Sequence, residues 1–326
     1  MASADVPPTI AWAGDRIRLI DQRRLPAELV VVEATTVEEL CEYIATLAVR
    51  GAPAIGVAGA MGVALAVVRG EDPAAAGERL RATRPTAVNL GWGVDRALGA
   101  ADPVAEAQRL AVDDVERNRA IGRHGAPLFA SGANVLTHCN TGALATVGWG
   151  TALGVLRAAH EAGTRLHVWI DETRPVLQGA RLTAWECERL GIPATLVADV
   201  MAAALMRAGR VDAAIVGADR ITANGDVANK IGTYAVAVAC HHHGIPFYVA
   251  APRSTFDHTL PTGDAIEIER RSPDEVTTIA GVRIAPEGIA AENWAFDVTP
   301  AELVTAWITE DGVFRTPPGP DVAPAP

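Results

Sequence analysis

The sequence has few cysteines and lacks the short motifs that mark common metal, nucleotide and hydrolase sites. Its four cysteines are far apart and form no CxxC pair, so neither a zinc cluster nor a dithiol motif is indicated. GxxxxGKS/T, HExxH and GxSxG are also absent. Gly56, Gly59 and Gly62 do not form GxGxxG and follow no strand, which is poor evidence for a dinucleotide site. We therefore expect no metal and no cofactor.

Positive charge is scarce in this chain. Its 28 lysine and arginine residues stand against 39 aspartate and glutamate residues, so the net charge is −11. This balance disfavours binding to nucleic acid or to an anionic membrane, and we expect neither as a partner. An anionic substrate needs local cations to hold it against the mean field of the protein.

Targeting and membrane-spanning segments are also not evident. The first fifteen residues have no basic region followed by an apolar run, so they do not resemble a signal peptide. The uncharged stretch Ala52–Val68 is slightly short for a span of about 20 residues and is interrupted by Pro53 and several glycines. It is better explained as a buried helix, and we expect a cytoplasmic protein.

The 326 residues are 49% hydrophobic and 21% charged, which is typical of a globular protein with one large or two ordinary domains. Residues 9–34 predict two or three short strands. Thr36 with Glu39 forms a capping-box pattern that opens the first of several helices, which continue to about Ile121. Pro53 fits the first turn of the second helix, and the glycines that follow it predict close packing.

From residue 133 short apolar runs alternate with helical patterns, which predicts a parallel sheet covered on both faces. The fold class is therefore α/β, with a mostly helical N-terminal subdomain (1–125), a second domain (126–315) and a disordered proline-rich tail (316–326). The predicted strands are Asn134–His138, Leu166–Ile170, Ala194–Val197, Ala213–Val216 and Ile245–Ala250. The predicted helices are Ala143–Ala162, Gly179–Leu190, Val200–Ala208, about Asn229–His242, and a last one begun by Thr299–Pro300.

Polar side chains follow three of these strands, at the sheet edge where α/β proteins bind ligands. In the first group, Thr137–Gly142, Cys139 lies where a strand passes into a predicted helix, whose N-terminus lowers a thiol pKa and favours anions. A buried, inert cysteine is the alternative interpretation. The second group, Asp171–Arg174, precedes Gln178 at a helix start, and an ion pair within the loop is the simpler interpretation.

The third group surrounds Asp219. A turn or capping role is the usual interpretation of a lone aspartate after a strand, but Arg220, Asn229 and Lys230 close behind it favour a functional site. The run His241–His243 is different, because three successive helical side chains point about 100° apart and cannot all face one metal. We interpret these histidines as favourable partners of a helix C-terminus.

Several longer motifs resemble one family. They are Arg50–Gly56, Arg84–Leu90, Thr137–Gly142, Glu172–Thr183, Gly217–Ile221 and Asn229–Tyr234. In order, and from about residue 9 to residue 315, the chain resembles the S-methyl-5-thioribose-1-phosphate isomerases, the aldose–ketose isomerases of methionine salvage. The resemblance implies a homodimer whose N-terminal, mostly helical subdomain sits on a Rossmann-like C-terminal domain.

The resemblance also implies roles for nine residues. Asp219 would be the proton-transferring acid and Cys139 would assist the transition state. The substrate-binding residues would be Arg50, Gly51, Ala52, Arg84, Gln178, Asn229 and Lys230. These roles suit the chemistry, since a carboxyl group near the ring oxygen and C2 can protonate the ring and then move a proton, and arginine forks bind phosphate. Hydrogen transfer as a proton through an enolate and transfer as a hydride both remain open.

Three rival functions are left. The same superfamily contains non-catalytic regulatory subunits of a translation-initiation exchange factor, which the joint presence of Cys139 and Asp219 argues against. An isomerase of ribose 1,5-bisphosphate or 5-deoxyribose 1-phosphate would differ only in the pocket around the sugar's C5 substituent. An NAD-dependent dehydrogenase on a similar sheet would need the glycine fingerprint that is missing.

Overall fold

A computed structural model describes residues 6–320. Residues 1–5, which open the segment compared above with a signal peptide, lie outside this range. Residues 321–326 of the predicted disordered tail lie outside it as well. Residues 316–320 of that tail contact the body of the protein. Arg253 Nη2 donates to Gly319 O at 2.5 Å, and Pro317 lies against Gly225.

A three-stranded antiparallel sheet comes first in the described residues and is followed by five helices, in agreement with the short strands and several helices that the sequence predicts. The strands are β1 (Ile10–Trp12), β2 (Ile17–Ile20) and β3 (Val31–Ala34). The helices are α1 (Val37–Ala45), α2 (Ala52–Arg69), α3 (Pro73–Thr83), α4 (Val88–Leu98) and α5 (Pro103–Gly125). The capping box is present, since Glu39 N donates to Thr36 Oγ1 at 3.2 Å and Thr36 N donates to Glu39 Oε2 at 3.1 Å.

Helix α2 is the centre of this first half. It is long and apolar enough to cross a membrane, but 78% of it is buried inside the structure, which confirms the prediction of a core helix. Its glycines allow backbone contact with α4, because a Cβ at Gly56 would lie 3.0 Å from Asn89 O and one at Gly93 would lie 1.8 Å from Gly56 O. The first residues of α2 are thereby fixed against the rest of the protein.

The second half alternates strands and helices. In chain order they are β4 (Ala133–Thr137), α6 (Ala152–Glu161), β5 (Leu166–Asp171), α7 (Ala184–Leu190), β6 (Ala194–Val197), α8 (Ala202–Arg207), β7 (Ala213–Val216), β8 (Arg220–Thr222), β9 (Val227–Lys230), α9 (Thr233–His243), β10 (Phe247–Ala250), β11 (Phe256–Asp257), α10 (Asp274–Thr277), β12 (Thr278–Ile279), β13 (Val282–Arg283), β14 (Phe296–Thr299), β15 (Ala306–Thr309) and β16 (Gly312–Phe314). Six of these strands (β15, β10, β7, β4, β5 and β6) are parallel neighbours in one sheet, which confirms the mixed α/β fold.

The main sheet has the order β16-β15-β10-β7-β4-β5-β6, with β16 antiparallel to β15. From β4 the chain adds β5 and then β6 on one side. It then returns to place β7 on the other side of β4, followed by β10, β15 and β16. The strand order therefore switches between β4 and β7, and ligands bind α/β sheets at the carboxyl ends of strands beside such a switch. Cys139 follows β4 and Asp219 follows β7.

A second sheet, of order β11-β8-β9-β14, corrects one prediction. The sequence predicts Asn229 and Lys230 on a helix, but they lie on β9, and the helix begins only at Thr233. The reason is a nonlocal pairing: β9 runs antiparallel to β14, with Lys230 opposite Phe296. Gly232, with φ of 101°, then turns the chain into α9.

Two other predicted helices are also wrong in extent. Residues 143–162 form only a short turn at Ala143–Ala145 and then α6, because the glycine-containing loop between them returns to pair Gly150 with Gly142. The helix predicted after Thr299–Pro300 is a single turn, Ala301–Leu303. Its first amide, Ala301 N, donates to Asp226 Oδ1 at 2.9 Å.

Candidate active site

One cavity lies at the carboxyl ends of β4 and β7, where the first half of the chain packs over the sheet edge. All nine residues that the sequence singled out line it. They are Arg50, Gly51, Ala52, Arg84, Cys139, Gln178, Asp219, Asn229 and Lys230. The stretches that supply them are separated by up to 180 positions of chain, so folding is what brings them together.

Asp219 stands just after β7, where its main chain is fixed by a hydrogen bond from its own N–H to Ala228 O at 2.9 Å. Its carboxyl group faces the cavity. Burial raises the pKa of this carboxyl above its ordinary value, while the nearby charges of Lys230 and Arg84 act in the opposite direction. A raised pKa suits a group that must both give and accept a proton near neutral pH.

Cys139 is buried and held in the left-handed region, with φ of 64°. Its N–H donates to Thr173 Oγ1 at 2.8 Å, and its carbonyl accepts from Thr183 Oγ1 at 2.7 Å. The predicted lowering of the thiol pKa by a helix N-terminus is wrong, because β4 is followed here by a loop rather than by a helix. Burial instead raises the pKa of the Cys139 thiol, against the opposing effect of Arg50 and Lys230. The raised pKa favours the neutral thiol.

Three of the predicted residues bring cations to the cavity, and two of them are arginines with polar partners. Arg50 Nε donates to Gln22 Oε1 at 3.2 Å, and Arg50 Nη2 donates to Asn140 Oδ1. Both Nη atoms of Arg50 also donate to Asn140 O, at 3.3 Å. Arg84 Nη2 donates to Glu269 Oε2 at 2.6 Å. Each guanidinium is therefore held in place by its neighbours.

Lys230 is the third cation and the only lysine in the sequence. Its Nζ donates to Ala295 O at 2.7 Å and lies 4.5 Å from the centre of the Phe296 ring. Burial lowers the pKa of its amine, while Cys139 and Asp219 act to raise it.

The remaining predicted residues supply polar groups and a helix terminus. Gln178 is buried, and its Oε1 has no hydrogen-bond partner within residues 6–320. Asn229 Nδ2 donates to Thr233 Oγ1 at 3.0 Å. Gly51, with φ of 97°, precedes Ala52 at the start of α2, and a Cβ at Gly51 would lie 2.4 Å from Ala145 O. The positive end of a long helix therefore points at the cavity.

The sequence did not reveal the segment 266–296, which supplies part of the cavity wall. Arg271, Glu275, Asn293 and Trp294 line the cavity from this segment. Its sequence has only short apolar runs, and no motif in it indicates contact with a site that lies earlier in the chain. Only the tertiary packing identifies these residues.

The interpretation of Asp171 as part of an ion pair within its own loop is wrong. Its Oδ2 lies 3.0 Å from His138 Nδ1, and both side chains are buried. His138 Nε2 lies 2.8 Å from Ile231 O. The imidazole of His138, the residue before Cys139, thus connects Asp171 with the turn after Lys230. Arg174 donates instead to the carbonyls of Pro175 and Val276.

Comparison with known proteins agrees with this geometry. The profile of the family described as "Initiation factor 2 subunit family" matches residues 48–316. The chain belongs to this family. The match spans most of the first-half helices and the whole of the main sheet.

Within the family, the chain is 57% identical to the methylthioribose-1-phosphate isomerase of Anaeromyxobacter sp. (strain K), over 94% of this chain and 92% of that protein. Its fold is similar to the crystal structure of 5-methylthioribose 1-phosphate isomerase from Pyrococcus horikoshii OT3, with a TM-score of 0.87 and 46% identity, covering 94% of this chain and 92% of that chain. These similarities confirm the resemblance seen in the motifs.

A structure described as translation initiation factor eIF-2B, subunit delta, from A. fulgidus is similar to almost the same degree. It matches with a TM-score of 0.85 and 47% identity, over 96% of this chain and 97% of that chain. Similarity to these two solved structures alone therefore does not separate an enzyme from an initiation-factor subunit, whereas the curated relatives of 52–57% identity are named as isomerases.

Proposed function

We propose that the protein interconverts S-methyl-5-thioribose 1-phosphate and S-methyl-5-thioribulose 1-phosphate. The observation that carries this proposal is the convergence of a partly buried carboxyl group, a buried thiol and several cations in one cavity. Relatives that are 52–57% identical over nearly the whole chain and are named methylthioribose-1-phosphate isomerase support the choice of substrate.

The substrate's phosphate would bind where the cations and the start of α2 meet. Arg50 precedes the amides of Gly51 and Ala52, and a helix N-terminus favours an anion. Arg84 and Lys230 face the same cavity. Gln178 Oε1, which lacks a partner within the described residues, is an available acceptor for a sugar hydroxyl.

Asp219 would act as acid and base. In its protonated form it protonates the ring oxygen as the bond from that oxygen to C1 breaks. The resulting carboxylate can then take a proton from C2 and deliver it to C1. It finally takes the proton of the C2 hydroxyl as the carbonyl group forms at C2, which restores the carboxyl group. The neutral thiol of Cys139 can donate a hydrogen bond to a sugar oxygen that gains negative charge. Reaction in D₂O separates this route from hydride transfer, since only the proton route admits solvent deuterium at C1.

A second cavity next to Asp219 favours a methylthio group over a second phosphate at C5. It shares Ala52, Arg84, Asp219 and Phe296 with the first, and its apolar lining includes Ile55, Ala87, Val88 and Ile266. Arg220, the arginine that this cavity does not share with the first, already donates to Thr86 O at 3.2 Å. A second phosphate at C5 would have to displace that partner.

A non-catalytic subunit is the second candidate, because of the similar structure described as an eIF-2B subunit. The cavity residues argue against it. A binding subunit has no need for a carboxyl group whose pKa is raised by burial next to a lysine whose pKa is lowered by burial.

We also propose a cytoplasmic homodimer built from a helical subdomain (1–125) and a Rossmann-like domain (126–315). Large apolar side chains exposed on and next to the contacting helices α8 and α9 support the dimer. Val200 is 88% exposed, and Met201, Tyr234 and Val238 are also exposed. Sedimentation of the purified protein tests this; a monomer at micromolar concentration would contradict it.

The function is tested by assaying three sugar phosphates side by side: S-methyl-5-thioribose 1-phosphate, 5-deoxyribose 1-phosphate and ribose 1,5-bisphosphate. We expect the first to give the highest kcat/KM. Preference for the bisphosphate would reassign the substrate. Binding without any ketose product would favour the non-catalytic candidate.

A further inference from the structure

A buried carboxylate behind the cavity is connected to Arg50 through one amide. Glu186 is fully buried on α7 and lines neither cavity. Its Oε1 accepts from Asn140 Nδ2 at 2.7 Å, and its Oε2 accepts from Ala143 N at 2.6 Å. Asn140 Oδ1 accepts in turn from Arg50 Nη2. The order from the interior to the cavity is Glu186, Asn140, Arg50.

Donor and acceptor chemistry gives this series of hydrogen bonds one direction. Glu186 accepts at both oxygens and an arginine only donates, so the amide of Asn140 must present its NH₂ to Glu186 and its oxygen to Arg50. Burial raises the pKa of Glu186, and the N–H groups that donate to it act in the opposite direction. Thr183 reinforces the amide orientation, because its hydroxyl hydrogen goes to Cys139 O at 2.7 Å and leaves a lone pair for Asn140 Nδ2 at 3.2 Å.

The packing leaves Glu186 no freedom to move away. A Cβ at Gly142 would lie 2.3 Å from Glu186 Oε2, so the loop after β4 approaches the carboxylate closely enough to require glycine. Leu144 N also donates to Oε1, at 3.4 Å. The carboxylate thus organises residues 140–144, and the Asn140 side chain passes the effect on to Arg50.

We propose that Glu186 is a positioning residue for the substrate's anionic group: acting through Asn140, it fixes the Arg50 guanidinium at the start of α2. This rests on the proposed function for the identity of the anion. Glu186 itself touches no substrate. It sets where the charge of Arg50 stands and how the guanidinium is oriented.

Exchanging the carboxylate of Glu186 and the amide of Asn140 tests the direction of these hydrogen bonds. Glu186→Gln leaves one acceptor oxygen for two donors, so its NH₂ faces either the NH₂ of Asn140 or the N–H of Ala143. Asn140→Asp places a carboxylate opposite a carboxylate. Each single change should raise KM roughly 10- to 100-fold, the size of a lost charge-assisted hydrogen bond, with a smaller change in kcat. In the double variant, E186Q with N140D, the new amide donates to the new carboxylate, which accepts from Arg50, and the net charge is unchanged. Most of the lost affinity should return.

A matched control is Asp114→Asn, which also changes a buried carboxylate to an amide. The Asp114 carboxylate accepts from Val147 N and does not contact Arg50. The KM of this variant should stay at the wild-type value. A folded Glu186→Gln with unchanged KM would overturn the proposal, as would a double variant that is no better than the worse single one. If Glu186→Gln does not fold, comparing the KM of Asn140→Asp with that of the double variant provides the same test.

Calorimetric binding of inorganic phosphate to the same proteins separates this inference from the proposed function. If the wild type makes no ketose yet phosphate affinity falls in both single variants and returns in the double variant, the function fails and the positioning role stands. If the wild type is active and phosphate affinity is equal in all variants, the function stands and the positioning role fails.

Discussion

Arg84 Nη2 lies 2.6 Å from Glu269 Oε2, and the two side chains are only 11% and 16% exposed. This ion pair joins the turn between α3 and α4 to the segment 266–296. It also means that a cation facing the cavity already holds an anion. A phosphate that binds Arg84 has to compete with this carboxylate or share the guanidinium with it.

Glu269→Gln should therefore tighten the binding of inorganic phosphate by severalfold, because the competing charge is removed while a hydrogen-bond acceptor remains. The variant should also melt at a lower temperature, since Arg84 loses its charged partner in a largely buried place. Calorimetry and thermal unfolding measure the two effects. Glu292→Gln, which changes the exposed partner of Arg270, serves as the control and should alter neither. Weaker phosphate binding by Glu269→Gln would show that Arg84 stays paired with Glu269 when the anion is bound.

Lys230 offers a direct probe of the cavity's electrostatics because the sequence has no other lysine. Burial lowers the pKa of its amine, and Asp219 opposes this effect. In protein labelled with ¹³Cε-lysine, a single resonance should titrate below 10.5, the ordinary lysine value. Asp219→Asn should move that titration lower still, because a nearby negative charge is removed. A lysine that titrates at its ordinary value would contradict the burial of this amine.

Local patterns in the sequence predict much of this fold, and nonlocal contacts account for what they miss. The capping box at Thr36 involves residues only three apart, and it is found as predicted. Lys230, in contrast, lies on a strand because it pairs with Phe296, far along the chain. A helical pattern of small residues gives no sign of such a partner, so the predicted helix begins too early.

The same distinction applies to the site. The family motifs identify nine residues, and all nine line one cavity. The residues that hold them in position were missed. Glu186 has no motif that connects it to Asn140, and Glu269 meets Arg84 across 185 positions of chain. Their effect depends on burial and hydrogen-bond direction, which are properties of the folded protein.

Cys139→Ser should lower turnover by up to about 100-fold. The hydroxyl keeps the donor, but its shorter bond to Cβ displaces that donor from the sugar oxygen, and small misplacements in a site can cost this much. Steady-state kinetics measure the effect, with Cys41→Ser, at a half-buried position of α1, as the control. Full activity of Cys139→Ser would return this residue to a structural role.

Asp114→Asn should change how stability depends on pH. Burial raises the pKa of Asp114 from 3.8 to about 6. The protonated form is therefore favoured in the folded state, and this stabilisation is present below pH 3.8 and lost as the pH rises through about 6. Asparagine does not ionise, so the variant should gain up to ~3 kcal/mol relative to wild type between about pH 4 and about pH 8. Denaturant unfolding of both proteins at each pH measures the gain. A difference in the free energy of unfolding between variant and wild type that is equal at the two pH values would contradict the prediction.

Asp219 moves the proton in the proposed aldose–ketose isomerisation, and one comparison tests this role most directly. Wild type and Asp219→Asn are incubated with S-methyl-5-thioribose 1-phosphate, and the ketose is followed by NMR. We expect wild type to form S-methyl-5-thioribulose 1-phosphate and the variant to be slower by roughly 10²- to 10⁴-fold, with an unchanged circular dichroism spectrum. An inactive wild type, or a variant that turns over at the wild-type rate, would contradict this role.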